Sequence, residues 1–248
     1  MRFRSELMER IGSELEIDPD DYLGPDLSYH TLAEYYRLRR GSIGPLRSWM
    51  DRRWSVSPQQ VAKSQIHRII VNLNFPIIYT TNYDRNLEAA FELYQKPYLR
   101  IASARDLAKV SPDATQIIKF HGDFDDDSSL VFAETDYFDR LAFASPLDVK
   151  FRADAMGHSL LFVGYSMSDL NIRMLLHRVS KTWEESGYVK DRPQSFVFMA
   201  RANPVQEAVL EQWCLTPIIG APGEPGASLL AFMRELDRGV HHANKKKR

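Results

Sequence analysis

The 248-residue chain has a single cysteine, Cys214, a formal net charge of −1 and no apolar run that approaches a membrane span. One cysteine excludes an internal disulfide framework and any zinc ribbon built from paired CxxC motifs, so a reducing, cytoplasmic compartment is the default. Balanced charge removes a whole-chain field toward nucleic acid and leaves only local basic surface. The opening "MRFRSELMERIGSELEI" alternates charged with apolar residues and reads as neither signal peptide nor span. There is no internal repeat, no low-complexity linker and no HExxH. The basic end "HHANKKKR" has nothing apolar to tie it down and is expected to form a disordered tail over 241–248.

What is present is an α/β texture in one domain over 1–240. The segment 1–74 reads helical. Leu7, Ile11, Leu15 and Ile17 recur at roughly helical spacing, Ser28 can cap "YHTLAEYYRLRR", and Pro58 opens "QQVAKSQIHRIIVNL". The stretches "DPDDYLGPDL" and "RRGSIGP" read as loops. From residue 75 to 238 short apolar runs alternate with helical patterns, giving strands near "PIIYTT", "QIIKFH", "SLLFVGY", "SFVFMA" and "TPIIG". That alternation predicts a doubly wound parallel sheet. It lapses between about 123 and 158, which reads as a lid-like insertion with a short extended piece at "SLVFA" and a helix from near Thr135.

In an open parallel sheet, ligands bind beyond the carboxyl ends of the strands. Three expected strands end there in polar or small residues: Asn82 and Asp84 after the first, His121-Gly122-Asp123 after the second, and Gly164-Tyr165-Ser166 with Asp169 after the third. Each has a plain structural alternative. Asp84 stands where a helix N-cap belongs, Asn82 can form an Asx turn, His121 can be a hydrogen-bonded strand-end histidine, and Gly164 and Ser166 can make a tight turn.

Taken together, "IIYTTNYD", "IIKFHGD" and "LLFVGYSMSD", in that order, resemble the sirtuin-like domains of bacterial antiphage defence proteins, which have a Rossmann-like core and hydrolyse NAD. The resemblance covers most of the chain. It implies that Asn82 contacts the nicotinamide-side ribose, that His121 acts on the ribose hydroxyls, and that Gly164 and Ser166 form the turn meeting the adenosine half. Thr81, Asp84, Gly122 and Asp169 complete the implied NAD-binding set, with Asp84 supporting the loop or the nicotinamide pocket. NAD is the implied substrate. No zinc is expected, because protein-deacetylating sirtuins usually carry a four-cysteine module, and its lack favours NAD cleavage over deacetylation. The resemblance further implies a cytoplasmic effector, expected to be a homo-oligomer and regulated by oligomerisation or by a separate partner, a nucleic-acid-handling ATPase or another sensor.

One family feature is missing from this sequence: the first strand and its Gly-Ala-Gly-x-Ser loop, whose amides approach the dinucleotide phosphates. "RIGSEL" lies inside a helical pattern and "RRGSIGPLRSW" lacks a preceding strand. The chain is therefore expected to be either a shortened form or a degenerate module that binds weakly or only assembles with a partner, with impaired NAD binding in both cases. Two other features are read as non-functional. "DFDDDSSLVFAE" places Asp123, Asp125, Asp127 and Glu134 as a calcium loop would, but Ser128 stands where the turn needs glycine, so it reads as a solvated acidic loop. Trp54, Trp183 and Trp213 read as packing anchors at helix ends, with no basic stripe to make them a base-stacking platform.

Overall fold

Apolar residues of the first segment recur on one helical face, and in the computed structural model that face is buried. The structure describes residues 2–18, 21, 27–109, 111–167 and 169–246, so most of the loop expected at 18–27 lies outside it. Helix α1 (Arg2–Leu15) packs Leu7, Met8 and Ile11 against Leu32, Ala33 and Tyr36 of α2 (Tyr29–Arg40) and Leu46 and Met50 of α3 (Gly44–Trp54). Ser28 caps α2 as expected, accepting from the Thr31 amide at 3.1 Å, and Gly41 ends it in the left-handed conformation at φ 72°. The Tyr36 hydroxyl donates to Glu14 Oε1 at 2.7 Å; burial first, and this bond second, push the phenol up to about 12.

The helix expected from Pro58 is two helices, α4 (Pro58–Lys63) and α5 (Gln65–Asn72). Ser64 separates them because its hydroxyl takes the His67 amide at 3.4 Å and pairs with the His67 ring at 2.7 Å, making a fresh N-cap inside a continuous apolar pattern. The break lies close to a division of the whole chain. By internal contacts, residues Met1–Val61 with Pro76–Ala142 form one unit and Ala62–Phe75 with Phe143–Arg248 form another.

In the first unit, β1 (Ile77–Thr80), β2 (Tyr98–Ile101) and β3 (Thr115–Lys119) form a parallel sheet in the order β1-β3-β2. Helix α6 (Asn86–Leu93) follows β1, and the single-turn α7 (Ala104–Leu107) follows β2. The sequence reading missed β2, whose run "YLRI" is short and carries Arg100. After β3 the chain makes a 3-10 turn at Asp127–Ser129 and then α8 (Glu134–Arg140). The piece "SLVFA" is not a strand, and the acidic loop is not simply solvated. Phe124, Leu130, Phe132 and Ala133 join the core of α1, α2 and α3, while Asp123 is 1% exposed. The apolar residues spaced through that loop take it inward, so the first part of the expected lid is core.

In the second unit, α9 (Pro146–Gly157) leads to β4 (Leu161–Phe162), α10 (Leu170–Ser186), β5 (Ser195–Met199), α11 (Pro204–Gln212), β6 (Leu215–Ile219) and α12 (Pro225–Lys246). A 3-10 turn at Val189–Asp191 joins α10 to β5. The strands are again parallel, in the order β4-β5-β6. Ile69 and Leu73 pack with Met233 of α12 in a core that also takes in Val163, Leu229 and Phe232. Strands alternating with helices in parallel sheets make this a Rossmann-like α/β fold, its pairing held in two three-stranded sheets among the described residues. The tail expected to be disordered is helical as far as Lys246, with 247–248 outside the described residues. No described helix is long and apolar enough to cross a membrane.

Candidate active site

Strands β1 and β3 are direct neighbours in parallel register, with Thr80 opposite Lys119, and the Phe120 amide continues the ladder to the Thr80 carbonyl at 2.8 Å. Asn82 and His121 each lie two residues past that last pair, so the topology brings them to one edge. The chain turns sharply after β1 because the Thr80 hydroxyl accepts from the Asn82 amide at 3.1 Å. Thr80, rather than Asn82, therefore makes the turn. The Asn82 side chain is exposed and makes no hydrogen bond among the described residues. Thr81 beside it is half-buried. Asp84 is not the N-cap of α6, a position held by Arg85; its carboxylate sits one residue earlier and accepts from the Asn86 amide at 3.0 Å. It still satisfies a free amide at the start of the helix.

His121 is 3% exposed. Its ring meets Tyr137 of α8 edge-on at 5.5 Å, and its carbonyl accepts from the Val131 amide at 2.9 Å. Tyr83 donates its hydroxyl to the Val131 carbonyl at 2.9 Å, which ties the Asn82 loop to the same segment. Arg140 donates to the Phe120 carbonyl at 2.9 Å with its guanidinium over the Phe120 ring. Gly122 is fixed by packing: its φ is +83°, and a Cβ there would lie 2.1 Å from the Ser129 carbonyl oxygen.

The segment covering His121 is held to α2. The Phe132 carbonyl accepts from His30 Nδ1 at 2.8 Å, which places the proton on that nitrogen; Arg37 donates to Asp136 at 2.7 Å. Glu34 accepts from the Thr135 amide at 3.0 Å and hydroxyl at 2.7 Å, and from Arg37 at 2.8 Å. Burial raises the Glu34 carboxyl, but the hydrogen bonds from Arg37 and Thr135 outweigh it and hold the group below the usual glutamate range.

Two ion pairs at this edge were not foreseen. Lys119, 1% exposed, lies 3.3 Å from Glu88 of α6, 0% exposed, and its ammonium donates to the Asp84 carbonyl. Arg100 of β2 pairs with Asp123 at 2.9 Å and also with Asp125. A lysine directly after Ile117 and Ile118 and a glutamate among Leu87, Ala89, Ala90 and Phe91 were the available signals. Neither periodicity nor spacing says that they meet. Among the described residues no group of three or more His, Cys, Asp or Glu side chains is arranged to hold a metal.

In the second unit, β4 ends in a different kind of turn. Gly164 (φ +64°) and Met167 (φ +56°) are both left-handed, and Gln206 donates to the Ser166 carbonyl at 3.4 Å. Asp169 is the N-cap of α10, accepting from the Asn171 amide at 2.8 Å and the Ile172 amide at 3.3 Å. The capping carboxylate expected at Asp84 is displaced there by one position, and Asp169, where no cap was expected, is an N-cap.

The order of these strand ends along the chain is matched by a family model. A SIR2-like domain matches residues 76–218, which run from just before β1 into β6 and contain every strand-end residue described above. The chain belongs to the SIR2-like family. Relatives with curated names include the NAD(+) hydrolase ThsA of Enterococcus faecium, 31% identical over 66% of this chain and 35% of the relative. The ThsA of Bacillus cereus (strain MSX-D12) is 29% identical over 73% of this chain and 37% of its own length. Defense-associated sirtuin 2 of Bacillus subtilis is 29% identical over 58% of this chain and 14% of that protein. The chain thus spans little more than a third of the ThsA relatives it matches. Helices α1, α2 and α3, which supply the core under the β3–α8 loop, lie outside the SIR2-like match, as does the clasp that α2 makes on α8.

Proposed function

We propose that this SIR2-like chain cleaves NAD to nicotinamide and ADP-ribose and serves as an NAD-depleting effector in bacterial antiphage defence. One observation carries the reading: an exposed amide, Asn82, and a histidine, His121, stand past neighbouring ends of paired strands in a domain whose relatives are named NAD(+) hydrolases. Departure of nicotinamide leaves an oxocarbenium-like ribose, so the protein must mainly orient the sugar, handle its hydroxyls and exclude solvent. Asn82, unengaged by other side chains, can bind the ribose, while His121 handles a hydroxyl proton. Thr81, Asp84 and Gly122 stand beside them at the same edge and are the further residues we assign to the nicotinamide side.

His121 is covered in the structure, so a ribose reaches it only when side chains such as Tyr137 give way. We read the segment 130–140 as a restraint on a reaction that is costly to the cell. Its release falls to self-association or to a separate partner, a nucleic-acid-handling ATPase or another sensor, in the cytoplasm where NAD is consumed.

The test is NAD turnover by the natural full-length protein, assembled with its partner. Asn82→Ala and His121→Ala are each expected to lower turnover by about 100-fold or more with the fold intact. Normal turnover in either variant, or no turnover by the wild type, sinks the reading, and the second result leaves the non-catalytic scaffold.

A further inference from the structure

We propose that Lys119 is a positioning residue that sets the Asn82 loop against His121, an inference that rests on the NAD-cleaving reading of this edge. Lys119 is on β3, two residues before His121, and its ammonium donates to the carbonyl of Asp84, two residues after Asn82 on the neighbouring strand's loop. One side chain therefore links the two segments that carry the proposed chemistry. The Asn82 amide is tied at the other side of the loop to Thr80 Oγ1, so the short segment between Thr80 and Asp84 is anchored at both ends. Asn82 has no side-chain bond of its own, and its place is inherited from those anchors.

Stability alone is a poor reason for this arrangement. Burying an ammonium at 1% exposure beside a carboxylate at 0% removes two charges from water, and a well-packed apolar pair of similar volume commonly holds a fold as well or better. Neither oxygen of Glu88 accepts a well-formed hydrogen bond, so the carboxylate acts on Lys119 chiefly through charge at 3.3 Å. What the pair supplies that an apolar pair cannot is a directed donor at the Asp84 carbonyl. Orientation of that kind acts on the chemical step more than on substrate affinity.

The experiment compares Lys119→Met with the double variant Lys119→Met/Glu88→Leu in the natural full-length protein with its partner. The single variant leaves Glu88 buried without its cation and should lose both stability and turnover. The double variant should regain a wild-type melting temperature, yet keep kcat depressed about 10-fold or more with KM for NAD within about 2-fold. Its amides at 82–86 should exchange about 10-fold faster than wild type while those of β3 do not. Recovery of wild-type kcat or unchanged exchange at 82–86 in the double variant overturns the proposal. If the wild type does not cleave NAD, the functional reading falls while the exchange comparison still decides the positioning role. Should the apolar pair fail to fold, the neutral pair Lys119→Gln/Glu88→Gln takes the same readouts, and failure of both shows that the pair serves the fold itself.

Discussion

The β1–β3 edge and the end of β4 are built by different means. At the first, side chains do the fixing: Lys119 on the Asp84 carbonyl, Arg100 on Asp123, Tyr83 on the Val131 carbonyl. At the second, the strand is two residues long and the turn is set by backbone, with Gly164 and Met167 left-handed and Asp169 capping the next helix. The first edge is thus held by polar contacts with a defined geometry. The second leaves backbone groups in a tight turn, which suits an approach to a flat or anionic part of a ligand without bond-making. The contrast is testable because each edge contains a glycine at positive φ in opposite surroundings.

Gly122→Ala should give the largest stability loss. Its φ of +83° is unfavourable for alanine, and the new Cβ would stand 2.1 Å from the Ser129 carbonyl oxygen and 2.4 Å from its carbon, both backbone atoms. Strain and overpacking together predict a loss of more than about 3 kcal/mol, measured by urea unfolding, with His121 displaced. Gly164→Ala meets nothing closer than Leu229 Cδ2 at 4.0 Å, so only the left-handed backbone resists it. A loss of about 1–2 kcal/mol is expected. Equal losses at the two positions would show that conformation alone, and not the approach of the Ser129 backbone, requires glycine after β3.

Asp169→Ala is expected to cost less, about 1 kcal/mol, because it removes one cap from two amides on a long helix. The Ser28 cap of α2 was legible in the sequence, as were the five strand runs and the polar residues ending three of them. Such features rest on local rules: an apolar run, a turn and a capping residue next to one another in the chain. What was hidden depends on partners far away in sequence. Strand β2 is four residues long and carries Arg100, whose charge is met by Asp123 beyond β3, and the charge of Lys119 is met by Glu88 of α6. The acidic loop read as solvated because its aspartates outnumber its phenylalanines, yet Phe124 and Phe132 decide where it goes. Ser64 broke a helix that periodicity alone would continue.

The smallest expected effect concerns the clasp over His121 and sharpens the picture of the first edge as one held by side chains. Glu34 has a carboxyl pKa below its ordinary value because Arg37 and Thr135 bond its charged form in spite of partial burial. A group lowered on folding contributes stability that is fully present above its unfolded value and is lost as pH falls through the folded one. The contribution should therefore be intact near neutrality and fade below the usual glutamate value of about 4.3. Glu34 is near the surface, so a fraction of a kcal/mol, within the range of about 0.2–1 measured for exposed pairs, is the expected size. Urea unfolding of wild type and Glu34→Gln from about pH 6 down to about pH 3 reads it directly, the wild-type advantage shrinking with acid. Exchange of the amides at 133–137 should rise over the same window if the bonds from Thr135 hold α8 in place. An advantage that stays constant with pH would mean that Glu34 acts by packing and not through its charge, and the restraint on His121 would then rest on the Arg37–Asp136 pair and the His30 bond to Phe132.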